Sequence, residues 1–251
     1  MSLRSELETL VGAIRFFTRL PLPGDFGHSG VALEKAIRYF PLAGVIVGGI
    51  AALVFSLCML VWPKTLAVLA AMVSVIYLTG AMHEDGWGDM VDGFGGGWDR
   101  QRILDIMKDS RMGSFGAVAL VMMLLVRFMS LVEIDLNLIP AALIAAHAFS
   151  RLCATGILAT MDYARAEGKA KAFSNRLGIG EGAFALATAA VSLLLIPLPQ
   201  LVPAVLLALL STLWLARVFK RGIGGYTGDC LGATQQLAEV AFYGGLLCRF
   251  S

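Results

Sequence analysis

The sequence is short of charge. Of its 251 residues, 15% are Asp, Glu, Lys or Arg, while 58% are hydrophobic. Soluble domains carry about a quarter charged residues. A chain this poor in charge cannot clothe a core of its own in a polar skin, and the mean hydropathy of +0.78 points to the membrane class. An excess of one sign is missing too. The net charge of +2 excludes the basic footprint of a nucleic-acid binder. Cysteine is sparse: Cys58, Cys153, Cys230 and Cys248 form no CxxC pair and no disulfide framework, and they read as buried, inert thiols. The opening stretch MSLRSELETLVGAIRFF lacks the continuous apolar core and the small-residue cleavage site of a signal peptide. Its Leu3, Leu7, Leu10, Ile14 and Phe17 recur at three- and four-residue steps. That spacing predicts an amphipathic helix in the membrane interface, ended by Pro21.

What the chain has in quantity is apolar runs. A membrane-spanning helix needs about 20 such residues. Runs near 41–62, 65–82, 112–132, 138–161, 182–197, 199–217 and 233–249 qualify, the last weakened by Gln235, Gln236 and Glu239. The expected fold is all-α: a polytopic integral membrane helical bundle of six to seven transmembrane helices plus an N-terminal interfacial helix. It forms a single membrane domain over 1–251, with an N-terminal interfacial segment over 1–40. Most of the 20 Lys and Arg fall in four polar stretches that seven spans would place on one side: 1–40, 83–111, 162–180 and 217–232. By the positive-inside rule that side is cytoplasmic, which makes 83–111, 162–180 and 218–232 cytoplasmic loops. Arg127, His147 and Arg151 fall inside spans, where ionisable groups are functional by default. Arg127 requires an acid or a helix C-terminus as partner.

The acids are concentrated. Seven of the 18 lie in 83–111: Glu84, Asp85, Asp89, Asp92, Asp99, Asp105 and Asp109. Asp85, Asp89 and Asp92 stand at i, i+4 and i+7, one face of a helix, within ~10 Å along its axis. Like charges so close repel, and a hard divalent cation with oxygen ligands is the economical way to neutralise them. Asp99 is a plausible N-cap for a short helix over 100–110. Lys108, Ser110 and Arg111 follow. Acids for a metal, then bases and a hydroxyl, make the inventory of a phosphate-handling site. A glycine-rich loop, RGIGGYTGDCLGATQQLAE, carries Thr227 and Asp229 and could present backbone N–H groups to an anion.

Together these segments resemble the cobalamin synthase (adenosylcobinamide-GDP ribazoletransferase) family. The resemblance rests on FFTRLPLP at 16–23, YFPLAGVIVG at 39–48, HEDGWGDMVDGFGGG at 83–97, IMKDSRMGSFG at 106–116 and GGYTGDCLGA at 224–233, in the family's order and nearly end to end. Glu84 stands where the family usually has an apolar residue, and Trp87 and Met90 replace commoner small residues. The resemblance implies an integral membrane enzyme that uses Mg²⁺. It joins adenosylcobinamide-GDP to α-ribazole or its 5′-phosphate and releases GMP. Asp85, Asp89 and Asp92, with Asp109, would hold the metal, and His83 or Asp109 would accept the hydroxyl proton. Lys108, Ser110, Arg111, Arg19, Thr227, Asp229 and Arg151 would contact substrate. The implied partners are these corrinoid and nucleotide substrates and the lipid bilayer, with no nucleic acid. A homo-oligomer is admitted but not required. A CDP-alcohol phosphotransferase is the nearest rival, but its second acidic pair lies further along the chain. A transporter would keep its acids inside the spans, and a prenyltransferase would need DDxxD. Asp85→Ala is expected to abolish turnover while leaving membrane insertion intact, and near-normal activity in that variant would sink the metal assignment.

Overall fold

The most polar of the predicted spans lies at the centre of the protein. In the computed structural model, which describes residues 3–22, 35–165 and 177–249, the helices are α1 (Leu3–Phe17), α2 (Phe40–Cys58), α3 (Lys64–Thr79), α4 (Met82–Gly96), α5 (Arg100–Ile106), α6 (Ser114–Glu133), α7 (Ile139–Thr160), α8 (Ile179–Leu193), α9 (Leu198–Ile223) and α10 (Gly228–Leu246), with a 3₁₀ turn at Ala36–Tyr39. Among the described residues there is no strand. Helix α10 packs on α9, α4, α7 and α6. Gln235, Gln236 and Glu239 are buried in it. Their polarity therefore faces inward to partners rather than outward to lipid.

All seven predicted apolar runs are helical. Four helices are long and apolar enough to cross a membrane: Ala36–Cys58, which is α2 with the 3₁₀ turn, and α6, α7 and α9. A fifth span exists only if the bent pair α3 and α4 counts as one. The count by length and hydropathy is thus four to five, where the sequence predicts six to seven. The difference has a physical cause. Helix α8 has 15 residues, a rise of about 22 Å against a hydrocarbon core of about 30 Å. Helix α10 fails on hydropathy because of its inward polar residues. The outer spans show apolar flanks, with Val118, Val121, Leu125 and Met129 exposed on α6 and Leu206, Leu210, Leu213 and Trp214 on α9.

Two joints place the later site. The chain turns 85° between α3 and α4, through Gly80 (φ 67°) and Ala81 (φ 58°). The Ala81 N–H closes the end of α3 on the Ile76 carbonyl at 2.9 Å. Alanine at positive φ is strained, and the turn swings α4 away from the direction of α3. Helix α1 ends at Phe17, ahead of Pro21, and packs on the 3₁₀ turn and α2. Glu6 accepts from Arg38 and from the Tyr39 hydroxyl, while Leu7 faces outward. Residues 23–34 of the predicted interfacial segment lie outside the described residues. So do Lys169, Lys171 and Arg176 of the predicted 162–180 loop.

Helices α2 and α7 make the largest packing contact, and small residues set it, as is usual between helices in lipid. A Cβ on Gly44 would lie 2.3 Å from the His147 carbonyl oxygen and 2.8 Å from the Ala148 Cα. At Gly49 a Cβ meets nothing within 4 Å. Gly44→Ala is therefore expected to cost about 1–3 kcal/mol or more, while Gly49→Ala is neutral or stabilising. Thermal unfolding of the two variants in detergent checks this, and equal effects would contradict the packing described.

Candidate active site

One substantial cavity, of about 300 Å³, opens among α1, α2, α4, α7, α10 and the segment after α7. Phe16, Phe17 and Phe40 form an aromatic wall, with Phe17 edge-on to Phe40 at 4.6 Å between centroids. Asp85, Asp229 and Arg165 form a polar rim. His83 and Arg151, both buried, form the floor.

The rim depends on a close backbone crossing. A Cβ on Gly86 would lie 3.0 Å from the Asp229 carbonyl oxygen, and one on Gly232 would lie 3.4 Å from the His83 Cα. Glycine at 86 lets α4 and α10 touch, so carboxylates of the two helices come near each other. Asp229 comes at the start of α10, whose N-cap Thr227 accepts from the Cys230 N–H at 3.3 Å. The Arg165 guanidinium lies 3.0 Å from Asp229. Asp89 sits half-buried one turn below Asp85. Burial first, and then the charges of Asp85 and Asp229, push its carboxyl up to about 7. Burial also pushes Asp229 above the usual carboxylate range, with Arg165 opposing. Three crowded carboxylates with one cation among them are a donor set of the hard, oxygen-only kind that suits a divalent ion. Among the described residues, however, no three His, Cys, Asp or Glu side chains are gathered into a ready cage.

The other predicted site residues are dispersed. Asp92 shares the helix face of Asp85 and Asp89, yet it is buried, and its two oxygens accept the Gly113 and Gly116 N–H groups, each at 2.7 Å. Asp92 thus anchors the KDSRMGSFG stretch and the start of α6, where negative charge is favourable. Asp109 forms a forked pair with Arg111, 2.6 Å at the shorter arm, which holds its carboxyl down at about 2. Lys108, Ser110 and Arg111 are exposed and line no part of the cavity. Arg19 is exposed against the bend, its Nε 2.3 Å from where a Gly80 Cβ would stand. Thr227 is buried as a cap. The cavity therefore gathers His83, Asp85, Arg151 and Asp229 from the predicted set. It adds Arg165, Tyr163, Gln235 and the three phenylalanines, which composition and spacing had not assigned to a site. The FFTR and YF segments carried the phenylalanines in plain view. Arg165 had no local signal.

Beneath the floor lies a buried polar network. Arg127 of α6 pairs with Glu84 of α4 at 3.3 Å and with Glu239 of α10 at 3.5 Å, and it donates to the Gln236 amide oxygen. Glu239 also lies 3.0 Å from the His147 Nδ1 and accepts from Gln235 and the Tyr243 hydroxyl. Gln236 donates to Glu84 at 3.1 Å. Glu84 is thus an acid of the kind Arg127 requires as partner.

Polar groups of both signs line a cavity set among helices long and apolar enough to cross a membrane. Residues 9–247 match the family model for cobalamin-5-phosphate synthase. The chain is 42% identical to an adenosylcobinamide-GDP ribazoletransferase of Shewanella amazonensis, over 99% of this chain and 98% of the relative. It is 42% identical to that of Ralstonia pickettii, over 100% and 99%, and 43% identical to that of Shewanella piezotolerans, over 96% and 95%. No solved structure matches the chain. The chain belongs to the cobalamin-5-phosphate synthase family. Removing one member of a buried ion network leaves an uncompensated charge. Arg127→Met is expected to cost about 3–5 kcal/mol on that ground, read as thermal unfolding in detergent, and an unchanged midpoint would refute the network's structural role.

Proposed function

We propose that this chain is a ribazoletransferase of cobalamin biosynthesis. It joins adenosylcobinamide-GDP to α-ribazole or α-ribazole 5′-phosphate, and GMP leaves. The observation that carries the reading is the match to this family along nearly the whole chain. The cavity supports it. A ribose hydroxyl of the acceptor attacks the phosphorus next to cobinamide, a P–O bond forms, and the bond to the GMP phosphate breaks. Such a transfer is mostly a matter of positioning and charge neutralisation, and the cavity offers both.

The donor chemistry of Asp85 and Asp89, with Asp229 facing them, fits Mg²⁺. When bound, Mg²⁺ neutralises charge on the pyrophosphate oxygens. Asp92 keeps α4 and the start of α6 in register below these carboxylates, and Asp109 holds Arg111 in the adjoining loop. Asp85, the exposed rim carboxylate, is the group assigned to take the hydroxyl proton. Arg165 holds Asp229 at the rim. We place the protein in the bacterial cytoplasmic membrane, with the polar stretches and the mouth of the cavity on the cytoplasmic side, on the ground that most Lys and Arg fall there.

The test is turnover by purified, lipid-reconstituted protein given adenosylcobinamide-GDP, α-ribazole and Mg²⁺, with GMP and cobamide assayed together. Equal amounts of both products are expected, with loss of activity in EDTA and recovery on adding Mg²⁺. Turnover that survives EDTA would overturn the metal assignment, and turnover of CDP-alcohol substrates in place of these would overturn the reading.

A further inference from the structure

The two buried guanidiniums of the membrane core are treated differently. Arg127 is 2% exposed and has carboxylates at 3.3 and 3.5 Å. Arg151 is 1% exposed, and among the described residues no carboxylate oxygen lies within the 4.0 Å of an ion pair. Its Nη1 donates to the His147 carbonyl at 3.0 Å, and its Nε has no partner. The His147 Nδ1 is 3.4 Å away, but that nitrogen faces Glu239 at 3.0 Å. As the donor to a carboxylate it has no lone pair left for Arg151. A second floor residue is in the same condition. His83 is 4% exposed, and its Nε2 has no partner. Phe17 touches both: the His83 ring stacks on it at 5.7 Å, and the Arg151 guanidinium lies 5.3 Å from its centroid. A ring face offsets part of a cation's burial but does not use up its N–H donors.

A buried cation with spare donors is costly unless a ligand completes it. We propose that Arg151 and His83 form a phosphate-monoester subsite on the floor of the cavity. This rests on the function proposed above and deepens it. The floor is set apart by sign from the carboxylate rim, so one cavity presents a cation-seeking edge and an anion-seeking base. At about 300 Å³ the cavity is at the small end of ligand sites. It suits a nucleoside-sized molecule and is too small for a corrinoid macrocycle. Two molecules of the reaction bring a monoester of that size: an acceptor that carries a 5′-phosphate, and GMP as it leaves.

The experiment compares kcat/KM for α-ribazole 5′-phosphate and for α-ribazole, and the inhibition constant of GMP, in the unaltered protein, Arg151→Met, Arg151→Lys and His83→Gln. If the acceptor's phosphate binds the floor, the preference for the phosphorylated acceptor falls about tenfold to hundredfold in Arg151→Met, with partial recovery in Arg151→Lys, whose point charge replaces the fork. If the leaving group binds there, the GMP inhibition constant rises by a similar factor and the acceptor preference stays. A parallel fall for both acceptors with GMP inhibition unmoved is the signature of a structural role and overturns the subsite. Should Arg151→Met fail to fold, His83→Gln carries the same readings. In the unaltered protein, ribose 5-phosphate must also inhibit at least tenfold more strongly than ribose, and equal inhibition overturns the proposal by itself. Release of GMP with these readings negative removes only the subsite. No GMP under any condition removes the function beneath it.

Discussion

The structure depends on a few charges placed where no water can reach them. Inside a bilayer every polar group needs a protein partner, and ionisable groups are tolerated there only when paired. Arg127 meets this demand with Glu84 and Glu239, and the three belong to α6, α4 and α10. Glu84 lies between His83 and Asp85, so the ion pair that satisfies it also sets the rotation of α4. That rotation turns Asp85 to the rim and His83 to the floor. Glu239 continues the chain to His147, whose carbonyl receives Arg151. The apolar helices supply the bulk, but the network decides how they face.

This arrangement divides the site by sign. Acids collect where α4 and α10 cross at the mouth, and the unpaired cation lies below them. A cavity lined evenly with both would neutralise itself. Separation is kept because the acids are held by backbone proximity, while Arg151 on the floor rests on the carbonyl of His147, whose ring faces Glu239 underneath. Each half is fixed from a different direction. The aromatic wall from α1 and α2 closes the remaining side without adding charge.

Much of this was written openly in the sequence. Runs of about 20 apolar residues fold as helices almost wherever they occur in such a chain, and the acids spaced at i, i+4 and i+7 do lie on one helix, α4. The misreadings came from partners that local spacing cannot show. The i, i+4, i+7 pattern put Asp92 on the face of Asp85 and Asp89 but could not say that two N–H groups from beyond residue 112 would occupy it. Polar residues in α10 looked like a weak span, because hydropathy averages a helix and ignores which side is buried. Glu84 looked like an exception until Arg127, 43 residues on, was seen opposite it. Arg165 became a rim residue only through Asp229, which lies far along the chain.

The crossing of α4 over α10 has a consequence for how tolerance to change is distributed. Gly86 carries no functional group, yet a single methyl group there would press on the Asp229 backbone and alter the gap between facing acids. The dimension that matters is a main-chain separation, and no compensating side chain can restore it. A survey of every substitution in this protein would therefore outline an intolerant region one layer wider than the chemistry. Its outermost members would be residues with no functional group at all.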